Sequence, residues 1–324
     1  MTKKIKPMLK LGFKDGITII FAVFLFALFI KNSSLASTEV IKVLKICAQM
    51  LIPTLFPLAV ASEIITEIGA VEKLTDKISA PIAKILGVNK IATVPYFLGL
   101  FGGYTSSCKS AITLYKSGKI SKGDCESIIA LSNIPSLAFF TGFVGIGIFK
   151  SSTIGWVLWI IAIISTLVLG LINKCFFKKN EQIYCLNVYN KKSSKSFAQI
   201  VVDAIAHSAY AMLIICACVV FFSVLISVLS IYLSQLAINE QVQSIMLGTL
   251  EITNGIRGCT NIENTFFRAV ICAFLIGWSG LCVHFQVIAI CEETDISFKK
   301  YFIFKGLQGI ICTLLAFLFW RFKF

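Results

Sequence analysis

The stretch Ile91–Tyr115, IATVPYFLGLFGGYTSSCKSAITLY, decides how the rest of the chain is read. It is apolar as far as Phe101, breaks at Gly102-Gly103-Tyr104-Thr105-Ser106-Ser107, and resumes before the basic turn Lys116–Lys122. Two half-helices around a polar, glycine-rich bend suggest a re-entrant hairpin rather than a full crossing. Hydrocarbon tolerates irregular backbone only where protein or a hydrated cavity pairs its N–H and C=O groups. A second block of this kind, Ile245–Cys259, is interrupted by Glu251, Thr253, Asn254 and Gly255.

Composition supplies the class of protein around these two blocks. The 324 residues are 57% hydrophobic and only 14% charged, where a soluble domain carries about 25% charged residues. So little charge cannot cover a globular surface, and lipid must be the solvent for much of it. Runs such as Ile17–Ile30, Trp156–Ile172 and Ala211–Leu229 are continuously apolar rather than alternating, so they are helices. The expected fold is an all-α polytopic integral membrane protein.

The formal charge of +14 does not point to nucleic acid. The lysines gather at the ends of apolar blocks, and no basic face is interleaved with aromatics in a soluble segment. Twelve cysteines are dispersed, several lie inside apolar runs, and there is no CxxC pair. They read as small buried hydrophobes rather than as a metal or disulfide framework. No cofactor or metal is implied.

Spans are expected at 17–36, 40–66, 126–149, 152–173, 204–233, 265–291 and 300–320, with an amphipathic interfacial helix over Glu72–Lys90. Leu35-Ala36-Ser37 could mimic a signal-peptide cleavage site, but the later segments make a first transmembrane helix the more economical reading. Seven spans and two hairpins, threaded with the N-terminus inside, put about 21 basic residues inside and about 8 outside. Lys299, Lys300 and Lys305 count as inside, while Lys150, Arg257 and Arg268 count as outside. Turning either hairpin into a crossing spoils that bias. The threading divides the chain into an N-terminal transmembrane helix (1–39), a first repeat (40–173), a basic cytoplasmic loop (174–203) and a second, inverted repeat (204–324). Weak echoes support the repeat: Leu98-Gly99 with Leu247-Gly248, Thr105 with Asn254 in the bends, and Pro135-Ser136-Leu137 with Ser279-Gly280-Leu281.

These landmarks occur in a distinctive order. It runs from Gly102-Gly103-Tyr104-Thr105-Ser106-Ser107-Cys108-Lys109 to Gly118-Lys119-Ile120-Ser121 and Leu131-Ser132-Asn133-Ile134-Pro135-Ser136-Leu137. In the second half follow Leu250-Glu251-Ile252-Thr253-Asn254-Gly255-Ile256 and Ser279-Gly280-Leu281-Cys282-Val283-His284-Phe285-Gln286-Val287. Over nearly the whole chain this resembles the nucleoside-recognition (Gate) domain family, most closely its YlbJ-type sporulation integral membrane proteins. The family's usual Gly-Tyr-Pro-x-Gly element at the first bend is replaced here by Thr105-Ser106-Ser107. The resemblance implies a core like that of concentrative nucleoside transporters, a bacterial cell membrane or a membrane specific to sporulation, and a role in endospore formation. It supplies no substrate.

Glu251 is the sharpest single residue. An ionisable group at mid-membrane depth costs at least about 2–3 kcal/mol, so it needs a partner or a hydrated cavity. Two readings stand side by side: a binding site for a cation, proton or polar solute, or a structural pairing with Arg257. Asn133, beside Pro135, reads either as a site amide in a broken helix or as a helix-to-helix hydrogen bond. Thr105, Ser106 and Ser107 either present hydroxyls to a polar solute or merely form the bend. Thr253 and Asn254 sit in the second bend, and Gln286 suits a cavity wall. Lys109 is a snorkelling residue or a site charge. Metal ligation by His284 lacks a suitable Cys/His spacing. Two functions are expected from this: binding or passage of a polar small solute across the bilayer, or a non-transport membrane assembly factor for the spore envelope. Enzymatic chemistry is not expected, since no Ser/His or paired-Asp arrangement stands out.

Overall fold

The computed structural model describes residues 13–68, 70–176, 196–234 and 240–323, and these are helical with no strand among them. Most of the basic loop at 174–203, and the lysines before Phe13, lie outside the described residues. Five described helices are long and apolar enough to cross a membrane: Ser33–Ile65, Ser152–Phe176, Phe197–Ile231, Thr265–Cys291 and Lys299–Phe322. Their outward residues, such as Ile160, Leu213 and Leu314, are large, apolar and exposed, a surface that water does not cover cheaply.

The first helix, α1 (Phe13–Lys31), is shorter, and its Ile20, Val23 and Phe26 are all largely exposed. A turn at Asn32 ends it, where the side-chain amide donates to the Leu28 carbonyl at 2.8 Å. The boundary expected near residues 36–40 therefore falls earlier, because Asn32 offers the backbone a local alternative to the helix. Helix then runs on as α2 (Ser33–Ile46), a wider π turn (Cys47–Leu51) and α3 (Ile52–Glu67). Pro53 and Pro57 remove two N–H donors here, and the Thr54 hydroxyl donates to the Met50 carbonyl at 2.6 Å.

The amphipathic α4 (Ala70–Leu86) precedes a sharp corner, and residues 77–86 and 90–102 meet at 96°. The Asn89 side chain accepts from the Ile91 N–H at 3.0 Å and so starts the next segment. The first hairpin consists of α5 (Thr93–Gly102) and α6 (Tyr104–Lys116), packed against each other. Gly103 alone makes the bend, with φ +84° and ψ −179°, a conformation that a side chain would strain.

Next, α7 (Lys122–Leu131) unwinds over residues 132–136, and π-helical turns run from Phe139 to Ile148. Pro135, which has no N–H to donate, sits in the unwound part. After α8 (Ser152–Phe176) and α9 (Phe197–Ser234) comes the second hairpin, α10 (Glu240–Leu250) and α11 (Ile252–Gly258). Its bend is again a single residue, Glu251, in an extended conformation. A Cβ added to Gly248 would stand 2.8 Å from the Gly255 Cα, so these arms touch through glycine. Both bends fall before Thr105 and Asn254, which lie in the first turns of the returning arms.

The chain closes with α12 (Thr265–Trp278), α13 (Gly280–Cys291) and α14 (Lys299–Lys323). Between α12 and α13 the helix breaks where Ser279 (φ 76°) and Gly280 (φ 79°) turn left-handed. The last helix packs along α12, α8 and α7.

Polar contacts tie one end of the bundle together. Lys116 pairs with Glu293 at 2.9 Å and Lys122 with Asp295 at 2.9 Å, while Glu126 accepts from the Ser297 N–H at 2.9 Å. These residues belong to the end of α6, the first half of α7 and the α13–α14 loop. At the far end of the broken α7 segment, the Arg268 guanidinium lies 5.8 Å from the Phe149 ring. Lys116 and Lys122, which the charge count places on one side, both pair with the α13–α14 loop, but one placement needs correction. Lys305 is not an end charge: it is 0% exposed inside the bundle.

Candidate functional site

The two hairpin tips and the two helix breaks converge on one cavity of about 110 Å³. The first tip contributes Tyr104, Thr105 and Ser106, and the second Glu251, Ile252 and Thr253. Pro135 and Ser136 line it from the unwound segment after α7, and Ser279, Cys282 and Gln286 from the break before α13 and from α13 itself. An outer wall comes from α3 and α9, mostly apolar through Leu55 and Met212, with Glu63 and His207 3.5 Å apart.

Glu251 is 1% exposed and holds the end of α11. One carboxylate oxygen accepts from the Thr253 N–H at 2.8 Å and the other from the Asn254 N–H at 2.7 Å. The residue therefore caps the helix that it precedes, and the N–H groups stabilise its charge. Arg257, the expected pairing partner, forms no ion pair with it within 4.0 Å. Glu251 is thus a carboxylate held by its own hairpin at the cavity wall.

Gln286 joins the halves. Its Oε1 accepts from the Tyr104 hydroxyl at 2.7 Å, and its Nε2 donates to the Cys282 sulfur at 3.4 Å. The first tip is thereby fastened to α13. Lys109 lines the cavity and is exposed.

Of the expected site residues, the cavity brings together Glu251, Thr105, Ser106, Thr253 and Gln286. Three others point elsewhere. Ser107 is fully buried against Ser132, with which it shares a hydrogen bond. Asn254 donates to the Ser223 hydroxyl of α9 at 2.5 Å. Asn133 is fully buried, and its Nδ2 donates to the Tyr301 hydroxyl of α14 at 3.0 Å. His284 Nδ1 meets the same hydroxyl at 2.7 Å.

Sequence reasoning missed Tyr104 as a strut, the Glu63–His207 pair and Lys305. Tyr104 lies inside the quoted bend and is the aromatic hydroxyl nearest its glycines, a signal that was present. Lys305 is an ionisable residue inside an expected span, which by itself marks a residue of interest. The Glu63–His207 contact has no sequence signature, because 144 positions separate the partners along the chain (207 minus 63).

Carboxylate, amide and hydroxyl groups between apolar walls suit the binding of a polar solute by hydrogen bonds. Comparison with known proteins bears on most of the chain rather than on this cavity in particular. No family model matches. No solved structure gives a significant match. The chain is an integral membrane protein, similar over 307 residues (26% identical, 84% of this chain and 74% of the relative) to the Sporulation integral membrane protein YlbJ of Bacillus subtilis (strain 168).

Proposed function

We propose that the protein binds a polar small solute in the cavity between the hairpin tips and passes it across the membrane during spore formation. The observation that carries this reading is the convergence of both tips and both helix breaks on a single cavity with Glu251 in its wall. Transporters build midplane sites from such broken helices, where unwound backbone and helix ends supply polar groups that lipid cannot. The reading includes seven spans, two re-entrant hairpins in an inverted repeat of Gate type, and a cytoplasmic N-terminus. The pairing of Lys116 and Lys122 with Glu293 and Asp295 supports placing the α6–α7 turn and the α13–α14 loop on one side of the membrane, as that threading requires. The name of the similar protein supports the tie to sporulation.

The test is flux of radiolabelled nucleosides, sugars and amino acids into liposomes containing the purified protein. Uptake of at least one class is expected, reduced about tenfold or more in Glu251→Gln, which disturbs a buried charged hydrogen-bonding group worth about 1.5–3 kcal/mol. If the wild type and Glu251→Gln pass every labelled solute equally, the site is wrong. If neither passes any, the hairpins are packing devices in an assembly factor. The hairpin topology has its own check. An impermeant label should reach 116–122 and 235–241 from opposite sides of the membrane.

A further inference from the structure

Away from the cavity, α14 carries a charge that solute binding does not use. The Lys305 side chain is 0% exposed, and its Nζ donates to the main-chain carbonyl of Asn133 at 2.7 Å and to Gln308 Oε1 at 2.8 Å. Gln308 in turn donates to the Ser165 hydroxyl of α8 at 3.3 Å. No carboxylate among the described residues lies within 4.0 Å of the ammonium. On the neighbouring elements, the acidic Asp124 and Glu126 of α7 hydrogen-bond Asn89 and Ser297, towards the bundle end. The single charged residue of α12, Arg268, donates to the Ile262 carbonyl.

The oxygen that receives this ammonium is unusual in origin. The Asn133 carbonyl lies just past the end of α7, in backbone unwound before Pro135. A helix C-terminus concentrates negative partial charge, and its free carbonyls call for donors or a cation. A buried oxygen of the same residue, Asn133 Oδ1, has no hydrogen-bond partner among the described residues. Carbonyls of a broken helix with a nearby amide oxygen form the kind of group with which membrane proteins hold a small monovalent cation. Here a tethered ammonium fills that place.

We propose that Asn133 and Gln308 form a binding site for a small monovalent cation, and that the protein's own Lys305 amino group takes the place of that cation. The lysine replaces a soluble ion, so the break after α7 holds its shape without one. That break also positions Pro135 and Ser136 at the cavity. The inference stands apart from solute passage, because its test needs no solute.

The experiment is thermal unfolding of the detergent-solubilised full chain in sodium, potassium, methylammonium or choline chloride at equal ionic strength. Wild type should melt at the same temperature in all four. Lys305→Ala should melt lower in choline and recover by about 3–6 °C in methylammonium or one of the metal salts, as a ligand that binds only the folded state requires. Should Lys305→Ala fail to fold in choline, purification in methylammonium followed by dialysis gives the same reading through loss of the monodisperse protein. Lys305→Gln, a neutral donor one bond shorter, keeps a hydrogen-bonding group without the charge. It should melt below wild type. Three results overturn the proposal: a folded Lys305→Ala indifferent to every small cation, a wild type that itself gains from sodium or potassium over choline, or a Lys305→Gln as stable as wild type.

Discussion

The two hairpin tips reach the same cavity by opposite chemical means. At the first, Gly103 turns the chain with φ +84°, and no side chain caps the returning α6. Contact across the molecule comes instead from Tyr104, whose hydroxyl reaches Gln286. At the second, an ordinary extended residue makes the bend, and its carboxylate caps the returning α11 through two N–H groups. One tip therefore depends on the absence of a side chain and the other on the presence of a charged one. The anchors differ as well. The end of the returning α6, at Tyr115 and Lys116, and the start of α7, at Lys122, are tied to the loop after α13, whereas the seven residues of α11 lead into a short turn whose Ile262 carbonyl is held by Arg268.

The sharpest way to break this contrast is a methyl group. Gly103→Ala places a Cβ 3.0 Å from the Ser136 N atom and forces a left-handed φ on alanine. Strain and clash together should cost about 2–4 kcal/mol, read as a fall in melting temperature in detergent. A melting temperature within a degree of wild type would mean that the bend lies elsewhere. Glu251→Ala makes no clash but removes two cap acceptors, and should cost about 1–2 kcal/mol. Glu251→Gln keeps one acceptor oxygen and should cost less than alanine. If alanine and glutamine cost the same, the carboxylate does not act as a cap. Tyr104→Phe removes one hydrogen bond from the first tip to α13 and should cost about 1 kcal/mol. Because Tyr104 and Glu251 sit on different tips, the double variant should show nearly additive losses, unless the cavity couples them.

What the sequence shows of this contrast and what it hides have a common cause. Both hairpins are legible because an apolar run interrupted by glycine and polar residues is a local property. The bending residue is not, since Gly102 and Gly103 or Glu251 and Thr253 are told apart only by backbone geometry. Glu251 stands out through the cost of a charge in hydrocarbon, but its partners are main-chain N–H groups, which carry no residue signature. Asn133 is readable as a break in a helix, yet its side chain turns to Tyr301, a residue 168 positions away. Lys305 reads as an end charge because it falls near the start of a span, and only packing against α7 and α8 reveals that it is enclosed.

The anchor of the first hairpin offers the smallest and most specific test. Hydrogen bonds from Lys122 and from the Tyr115 hydroxyl hold the Asp295 carboxyl below the usual carboxylate range, Lys122 contributing most. A carboxylate with a lowered folded value stabilises the fold above its unfolded value, near about pH 3.9, and loses that contribution as pH falls through the folded value. Wild type should therefore melt slightly above Asp295→Asn at pH 5–7, and the gap should close on acidification below about pH 4. The gap is small because all three groups face solvent, where salt and water screen an ion pair. Raising the salt concentration at pH 6 should narrow it too. A gap of constant size from pH 7 down to pH 3 would show that Asp295 shapes its loop without its charge. The first hairpin would then owe its anchoring to Lys116 and Glu293, and the contrast between the two returning arms would rest on that single ion pair.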